Sequence, residues 1–546
     1  MKQWLLLVLW LVIGMSLRLT ELAAKPPWTD EFSTIVFSLG NSFRTVPLDQ
    51  AIALDTILQP MRPNAANTIA DVLLHLRETN HPPLYFVLAH WWMQLFPPGI
   101  GGLASVWGER SLAAIFGALS IPAIYGLSWI AFRSKLVSQT TAALMAVSPY
   151  GIFIAQEARH YTLVILGVIA SFSCLAVATQ HIQRRTPIPL WLIPTWIGIN
   201  FVAISSHYFF ALTLVAEALW LAVLGWRQRR MGGWQIVIVA LGTTIGCLVW
   251  LPLFIQGNHG GELTQWIQSG DRGILQWIGP IFQVFAVGLT MLYLLPVSGS
   301  SIPIIAIFGI VMLIFFIWVL PILRRGFTTQ LQQPTTGIMT QMFAVLILGA
   351  IAEFFIFAYV LGIDITRGAR YNFIYFPAAI VLLGASFAVT WTKGVTGKRA
   401  VAIIWLTGLI SGIIVVTNLG YPKYYRPDLL VPVIQQVSHV PVLIATTHKT
   451  HVQNGEMMGL AREFKLSRSQ TNPLFLLAHQ EKNPQTSTIA LQNTLTKLPR
   501  PLDLWLMNFH APIELNSCTR DQRSFPIVYG YDYQLYHCSK TQSSAE

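Results

Sequence analysis

Charge is scarce in this chain. Asp, Glu, Lys and Arg make up 11% of its 546 residues and hydrophobic residues 54%, whereas a soluble domain carries about 25% charged residues, so a water-soluble globular protein is excluded. The formal net charge is +12, but Lys and Arg lie in short clusters between hydrophobic runs, as in the cytoplasmic loops of membrane proteins. We therefore predict a polytopic membrane protein and no nucleic-acid partner.

Several motifs of soluble enzymes are also missing. The chain has no Asp-x-Asp pair, P-loop or Gly-x-Gly-x-x-Gly, and no convincing Gly-x-Ser-x-Gly elbow, so nucleotide, dinucleotide and esterase functions lack support. Four cysteines without a Cys-x-x-Cys exclude a zinc-finger site. Cys518 and Cys538 share the C-terminal tail, where an oxidising compartment would favour a disulfide between them.

Apolar runs determine the predicted topology, since a membrane-spanning helix needs about 20 mostly apolar residues. Eleven runs qualify: 4–20, 108–132, 136–154, 161–180, 188–206, 207–225, 234–255, 301–323, 342–362, 371–391 and 399–418. Two weaker runs, 83–98 and 279–297, are predicted to lie in or dip into the outer interface. With eleven spans, all basic clusters from Lys2 to Arg399 face one side, as the positive-inside rule expects. The N-terminus is then cytoplasmic and the C-terminus non-cytoplasmic.

The predicted domains follow from this topology. Residues 1–420 form the transmembrane domain, with two long loops on the outer side, the first loop (21–107) and the second loop (256–300). The tail 421–546 alternates helical and apolar stretches, which predicts a small α/β domain on the non-cytoplasmic side. Its helices are expected near 428–438 and 454–464, and its strands at 441–445, 474–478 and 502–507.

Polar residues gather at the outer ends of the spans. They are Asp30, Glu31, His81, Glu157, Arg159, His160, Tyr161, His207, Arg370 and Tyr371. Each has a plainer interpretation: solvated loop acids, an ion pair of Glu157 with Arg159 or Arg110, or arginines that snorkel to lipid headgroups. However, arginine on the outer side is contrary to the positive-inside rule and therefore requires a reason. Binding of a phosphate is one, because the paired donors of a guanidinium group match the geometry of phosphate oxygens. Together these residues favour chemistry on a phosphate-bearing lipid.

Two further carboxylates, Glu217 and Glu353, lie inside predicted spans. An ionisable group within the membrane is a functional candidate, but a protonated and hydrogen-bonded acid explains each of them equally well. We therefore place neither in the predicted site.

An ordered series of short motifs gives the chain a resemblance to a known family. The series is Asp30-Glu31, His81-Pro82-Pro83-Leu84-Tyr85, Glu109-Arg110-Ser111-Leu112 with Phe116-Gly117, Ser148-Pro149 before Gln156-Glu157-Ala158-Arg159-His160-Tyr161, Ser206-His207-Tyr208 and Arg370-Tyr371. In this order the chain resembles GT-C glycosyltransferases of the protein O-mannosyltransferase and aminoarabinose transferase type. The resemblance covers about 30–375 and excludes the tail.

The resemblance implies a GT-C bundle that transfers a sugar from a polyprenyl-phosphate donor to an acceptor on the non-cytoplasmic face. The resemblance also implies that Asp30, with Glu31 adjacent, is the catalytic base and that the transfer is an inverting displacement. Arg370, with Arg159, would stabilise the leaving phosphate. Glu157 and His160 would shape the sugar pocket, and His81 and His207 would orient the acids or contact the acceptor. No metal or other cofactor is implied.

The acceptor stays open at this point: a protein, a surface glycan and a lipid all fit. The tail suggests a bacterial protein of the inner or plasma membrane, since protein mannosyltransferases carry a large lumenal domain that is missing here. A transporter or flippase for a lipid-linked sugar is the main alternative, although its ionisable residues should lie near the bilayer midplane. A scaffold that binds partners through the tail would leave Asp30 and Arg370 without a role.

Overall fold

The structure is a computed structural model, and it describes residues 2–228, 233–256, 262–268, 273–296, 302–467, 472–515 and 517–539. The predicted second loop, 256–300, lies partly outside the described residues.

Helices dominate the described residues. They are α1 Lys2–Leu19, α2 Thr29–Ser38, α3 Leu54–Ile57, α4 Ile69–His75, α5 Leu84–Met93, α6 Val106–Phe132, α7 Lys135–Val147, α8 Pro149–Ala155, α9 Tyr161–Gln183, α10 Leu192–Ile204, α11 Phe210–Gln228, α12 Gly233–Leu248, α13 Leu251–Gln256, α14 Ile274–Thr290, α15 Ile302–Gln332, α16 Gly337–Phe355, α17 Phe376–Trp391, α18 Gly394–Val416, α19 Pro427–Val437, α20 His451–Leu466 and α21 Gln485–Leu495. Short 3₁₀ turns include Glu262–Ile267, Ile365–Arg367 and Ala369–Ile374, and a π-helical turn, Ile356–Val360, extends α16.

The hydropathy of these helices shows an integral membrane protein. Six are long and apolar enough to cross a bilayer: α6, α9, α11, α15, α16 with its π turn, and α18. In α15 only 6% of the apolar window is buried within the protein, so this helix needs lipid rather than water around it. Each of the eleven predicted spans corresponds to one helix or to one broken helix.

Two predicted spans are broken near a proline. The span 136–154 divides into α7 and α8 at Ser148, whose backbone is not helical (ψ 117°) because a residue before proline is disfavoured in the α region. The Ser148 hydroxyl instead donates to the Met291 carbonyl, 2.7 Å away. The span 234–255 likewise divides into α12 and α13, just before Pro252.

The tail forms the predicted α/β domain around one six-stranded sheet. Its strands are β1 Ile52–Ala53, β2 Val442–His448, β3 Leu474–His479, β4 Leu502–Met507, β5 Cys518–Arg520 and β6 Tyr533–Cys538, in the order β1-β3-β2-β4-β6-β5. Strands β2, β3 and β4 are parallel, and β5 and β6 are joined by the disulfide Cys518–Cys538. The edge strand β1 comes from the first loop and pairs antiparallel with β3, so the sheet is not confined to the predicted domain 421–546.

The helix α2 is buried between the bundle and the tail. Its apolar residues Phe32, Ile35 and Val36 are at most 1% exposed and share one core with Met457 and Leu460 of α20. Burying one such side chain contributes about 1.5–3 kcal/mol, so this packing fixes the start of α2, where Asp30 and Glu31 lie.

Candidate active site

The predicted site residues come together at one end of the helix bundle, here called the Asp30 end. Helices α1, α8, α10, α16 and α18 end there, whereas α6, α9, α11 and α17 begin there. Because alternate helix ends meet at one side of a membrane, residues far apart in sequence become neighbours. The polar residues predicted from the sequence all lie at this end, whereas Glu217 and Glu353 are buried within α11 and α16.

Glu31 is the most tightly held carboxylate of the cluster and is fully buried. Arg110 donates to both of its oxygens, Nε to Oε1 at 2.7 Å and Nη2 to Oε2 at 2.8 Å. The Ala158 backbone N–H (2.9 Å) and the Lys423 Nζ (3.1 Å) donate to it as well. Burial alone would raise the pKa of Glu31, but Arg110 and Lys423 hold that pKa below its usual value. Glu31 is therefore ionised and engaged on both oxygens.

Lys423 joins the tail to this network. Its Nζ bridges Glu31 and Oε1 of Glu157, the latter at 2.8 Å, whereas Oε2 of Glu157 is buried without a partner among the described residues. A second buried lysine, Lys25, donates to the Val415 carbonyl at 2.6 Å. Burial, together with the charges of Lys423 and Arg110, lowers the pKa of Lys25 to about 7.

Asp30, next to Glu31, is in a different environment. Its side chain is 29% exposed and lies between two guanidinium groups, with Oδ2 3.7 Å from Arg159 Nη2 and 3.6 Å from Arg370 Nη2. Both distances exceed those of a hydrogen bond, so neither guanidinium group is hydrogen-bonded to the Asp30 carboxylate. Arg159 is instead held by the Asp30 carbonyl (2.9 Å) and the Thr34 hydroxyl (3.0 Å).

Arg370 lies on a 3₁₀ turn and is surrounded by aromatic rings. Its guanidinium carbon is 4.7 Å from the centre of the Trp28 ring, 5.0 Å from that of Trp266 and 5.2 Å from that of Tyr371. Its Nε is buried without a hydrogen-bond partner among the described residues. The rings fix the orientation of the guanidinium and leave hydrogen-bond donors for an anion.

Three histidines form the wall beside Asp30. The ring centroid of His160 lies 5.1 Å from that of His81 and 4.6 Å from that of His207. Arg159 Nη2 donates to His81 Nε2 at 3.0 Å, and because arginine only donates, His81 is neutral. Burial, and then the charge of Arg159, lowers the pKa of His81 well below 6.5. His160 is fully buried with neither ring nitrogen bonded among the described residues.

The sequence-based prediction included most of these side chains but missed three. These are Lys25, Lys423 and Trp266. Arg110, predicted as an alternative partner of Glu157, pairs with Glu31. The lysines follow α1 and α18 at the Asp30 end, which the predicted topology places on the non-cytoplasmic side, where the positive-inside rule makes basic residues unusual. That signal, which identified Arg370, could have identified both lysines.

The arrangement is suited to binding an anion next to a carboxylate. Four basic side chains, Arg110, Arg159, Arg370 and Lys423, surround the carboxylates of Asp30, Glu31 and Glu157. Positive charge is therefore in excess. Within the described residues, no group of three His, Cys, Asp or Glu side chains has the geometry of a metal site.

Comparison with known proteins shows the fold. No family model and no curated protein matches the sequence. The structure is similar to the crystal structure of ArnT from Cupriavidus metallidurans bound to undecaprenyl phosphate, with 12% identity, 99% of each chain covered and a TM-score of 0.51. Apo ArnT also matches, with 13% identity, 92% of each chain covered and a TM-score of 0.48. A further match is the oligosaccharyltransferase AglB from Archaeoglobus fulgidus in complex with an inhibitory peptide and a dolichol-phosphate. Its identity is 10%, the match covers 93% of this chain and 69% of AglB, and the TM-score is 0.44. The predicted GT-C glycosyltransferase fold is confirmed.

Proposed function

We propose that the chain is a membrane glycosyltransferase that transfers a sugar from a polyprenyl-phosphate donor to an acceptor hydroxyl at the Asp30 end of the bundle. The observation that carries this proposal is the position of Asp30. It is a partly exposed carboxylate without a hydrogen-bonded side-chain partner among the described residues, and it lies between two arginines that can bind phosphate. The undecaprenyl phosphate bound to the structural neighbour ArnT supports the choice of donor.

The reaction that fits this geometry is an inverting displacement. The acceptor oxygen attacks C1 of the donor sugar as the bond from C1 to the phosphate oxygen breaks, and the sugar leaves the phosphate with inversion at C1. Asp30 accepts the hydroxyl proton as general base. The polyprenyl phosphate departs with the bonding electron pair, and Arg370 and Arg159 stabilise its charge.

The other residues of the cluster position these groups. Glu31, engaged by Arg110 and Lys423, orients the start of α2 rather than accepting the substrate proton. His81 holds Arg159 by its neutral Nε2, and His160, His207, Glu157, Tyr161 and Tyr371 form the wall of the sugar pocket. We place the Asp30 end on the non-cytoplasmic face of a bacterial inner or plasma membrane, because the basic clusters lie at the other ends of the spans.

Donor binding is tested by mass spectrometry of lipids that co-purify with the detergent-solubilised protein. We expect a polyprenyl-phosphate sugar with the wild type, and depletion of this lipid in Arg370→Ala. The matched control is Arg44→Ala, since Arg44 lies in the first loop with its side chain 72% exposed. Equal lipid content in all three proteins would contradict the phosphate assignment.

Catalysis is tested with Asp30→Asn, which keeps the size of the side chain and removes the base. With the donor found above, sugar transfer should fall by about 10²–10⁴-fold while thermal stability and donor binding persist. A transporter of lipid-linked sugar would instead move the donor across a vesicle membrane without consuming it. Movement of intact donor that is unaffected by Asp30→Asn would establish the transporter and exclude the transferase.

A further inference from the structure

A polar cavity lies in the tail, outside the cluster around Asp30. It has a volume of about 460 Å³, within the range of about 300–1,000 Å³ for small-molecule sites. Strand ends, the start of α20 and the turn at residues 527–531 enclose it. Nothing in the proposed transfer reaction uses this cavity.

Four tyrosines provide its aromatic surface. The ring centroids of Tyr424 and Tyr425 are 5.0 Å apart, those of Tyr424 and Tyr529 5.4 Å, and those of Tyr425 and Tyr531 5.6 Å, all edge to face. Tyr424 and Tyr529 are 57% and 63% exposed. Large aromatic rings exposed side by side around a cavity are typical of a binding surface.

A carboxylate and an amide form the polar part of the cavity. Glu456 is 5% exposed and accepts hydrogen bonds from the Tyr425 hydroxyl at 2.6 Å and from Asn508 Nδ2 at 3.2 Å. The other polar lining residues are Thr447, Gln453, His510 and Asp532, and no Lys or Arg occurs among the described residues around the cavity. Since no guanidinium or ammonium group faces it, a phosphate or carboxylate ligand has no strong partner there.

The turn that carries Tyr529 is held against Tyr424 by a glycine. Gly530 has φ +86°, and a Cβ atom at this position would lie 2.4 Å from the Tyr424 carbonyl oxygen. Only glycine adopts this conformation at this distance without strain. The backbone conformation at Gly530 therefore fixes the spacing between the exposed rings of Tyr424 and Tyr529.

Both sides of the cavity adjoin residues that contact the immediate neighbours of Asp30. Tyr424 follows Lys423, which binds Glu31. Glu456 follows Gly455, where a Cβ atom would lie only 3.0 Å from the Thr29 Cα. A long ligand held in the cavity would thus lie close to the start of α2.

We propose that this cavity binds a neutral saccharide, with sugar C–H faces on Tyr424 and Tyr529 and sugar hydroxyls donating to Glu456 and Asp532. Aromatic faces combined with a carboxylate and an amide match a ring that is apolar on its faces and polar at its rim. Resting on the proposed function, the saccharide is the glycan part of the acceptor.

The test is saturation-transfer NMR on the full chain in lipid nanodiscs, with chitotriose, mannotriose and maltotriose as probes. We expect saturation transfer to at least one neutral trisaccharide, and about tenfold weaker binding in Tyr529→Ala. The matched control is Ile489→Ala, which changes a 54% exposed side chain on α21, a helix that packs on the other face of the sheet.

Each outcome decides the proposal. Binding that is weakened by Tyr529→Ala and kept by Ile489→Ala supports it, whereas no transfer to any probe, or equal binding in both variants, overturns it. The measurement needs no turnover. A chain that binds saccharide without transferring sugar would contradict only the proposed function, and a transferase that fails to bind these probes would contradict only the saccharide site.

Discussion

At the scale of single residues, two adjacent carboxylates have opposite surroundings. Successive residues of an α-helix point about 100° apart, so at the start of α2 Glu31 faces Arg110 in the bundle while Asp30 is partly exposed beside Arg159 and Arg370. The sequence identifies the pair but not this division, because the direction of each side chain depends on how α2 is oriented by its packing. We therefore expect Glu31 to contribute mainly to stability and Asp30 to the proposed chemistry.

Replacing Glu31 tests this division. Glu31→Gln leaves Arg110 and Lys423 without their shared carboxylate, and breaking a buried ion pair costs about 3–5 kcal/mol. We expect a marked fall in the midpoint of thermal unfolding in detergent, whereas Asp30→Asn should leave the midpoint nearly unchanged. Equal midpoints for the two variants would show that Glu31 is not the structural partner described above.

His160 predicts a loss of stability in acid. Burial, and then the charges of His207, Arg159 and His81, lowers the pKa of His160 well below 6.5. Below pH 6.5 the unfolded chain therefore binds a proton that the folded chain does not, and stability falls by about 1.4 kcal/mol for each pH unit until the folded pKa is reached. We expect the unfolding midpoint to fall between pH 6.5 and 5, and to fall less in His160→Gln. An unchanged pH dependence in that variant would assign the effect to other groups.

At the scale of elements, the contact between α2 and α20 positions the candidate site. Gly455 brings α20 within van der Waals distance of the Thr29 backbone, directly before Asp30. The sequence predicted α20, because this helix follows from local hydrophobic periodicity. It did not predict the contact of α20 with α2, since residues more than 400 positions apart leave no local signal.

Gly455→Ala tests how sensitive the site is to this contact. The added methyl group would lie 3.0 Å from the Thr29 Cα, so α2 must shift by a few tenths of an ångström. We expect the turnover number to fall by about three- to tenfold, with a stability loss of about 1 kcal/mol. The control is Gly459→Ala on the same helix, where the nearest atoms are 3.7 Å away. Equal activity of the two variants would contradict a positioning role for the contact.

Breaks in helices were the other feature that the sequence predicted only in part. A helix or a broken helix lies at each of the eleven predicted spans, and six of the described helices are long and apolar enough to cross a membrane. However, α7 and α8 were predicted as one helix, although Pro149 begins α8. A proline within an apolar run does not by itself divide a membrane helix, since α6 continues through Pro122. At Ser148 the break is supported by the hydrogen bond to Met291, a contact across 143 residues.

At the scale of the whole molecule, the first loop and the tail form one structure above the bundle. Strand β1 supplies the edge of the tail's sheet, and the Asp49 carboxylate accepts a hydrogen bond from the His479 N–H at 2.7 Å. Lys423 joins the same assembly to Glu31 and Glu157. The predicted boundary at residue 420 thus divides the sequence into two parts. It does not divide the candidate site, which contains residues from both parts.

This assembly predicts a specific cross-link. Ala53 of β1 is paired with Leu474 of β3, and opposite residues of antiparallel strands have Cβ atoms about 4.5–5.5 Å apart. In the double variant Ala53→Cys and Leu474→Cys, mild oxidation should form a disulfide, detected as a mobility shift that a reductant reverses. Because strand pairing holds both partners in place in the native fold, sugar transfer should survive cross-linking. Ala66→Cys with Leu474→Cys is the control and should not cross-link. Failure of the paired cysteines to react would contradict the pairing of β1 with β3, whereas loss of activity once they react would show that the first loop must leave the sheet during turnover.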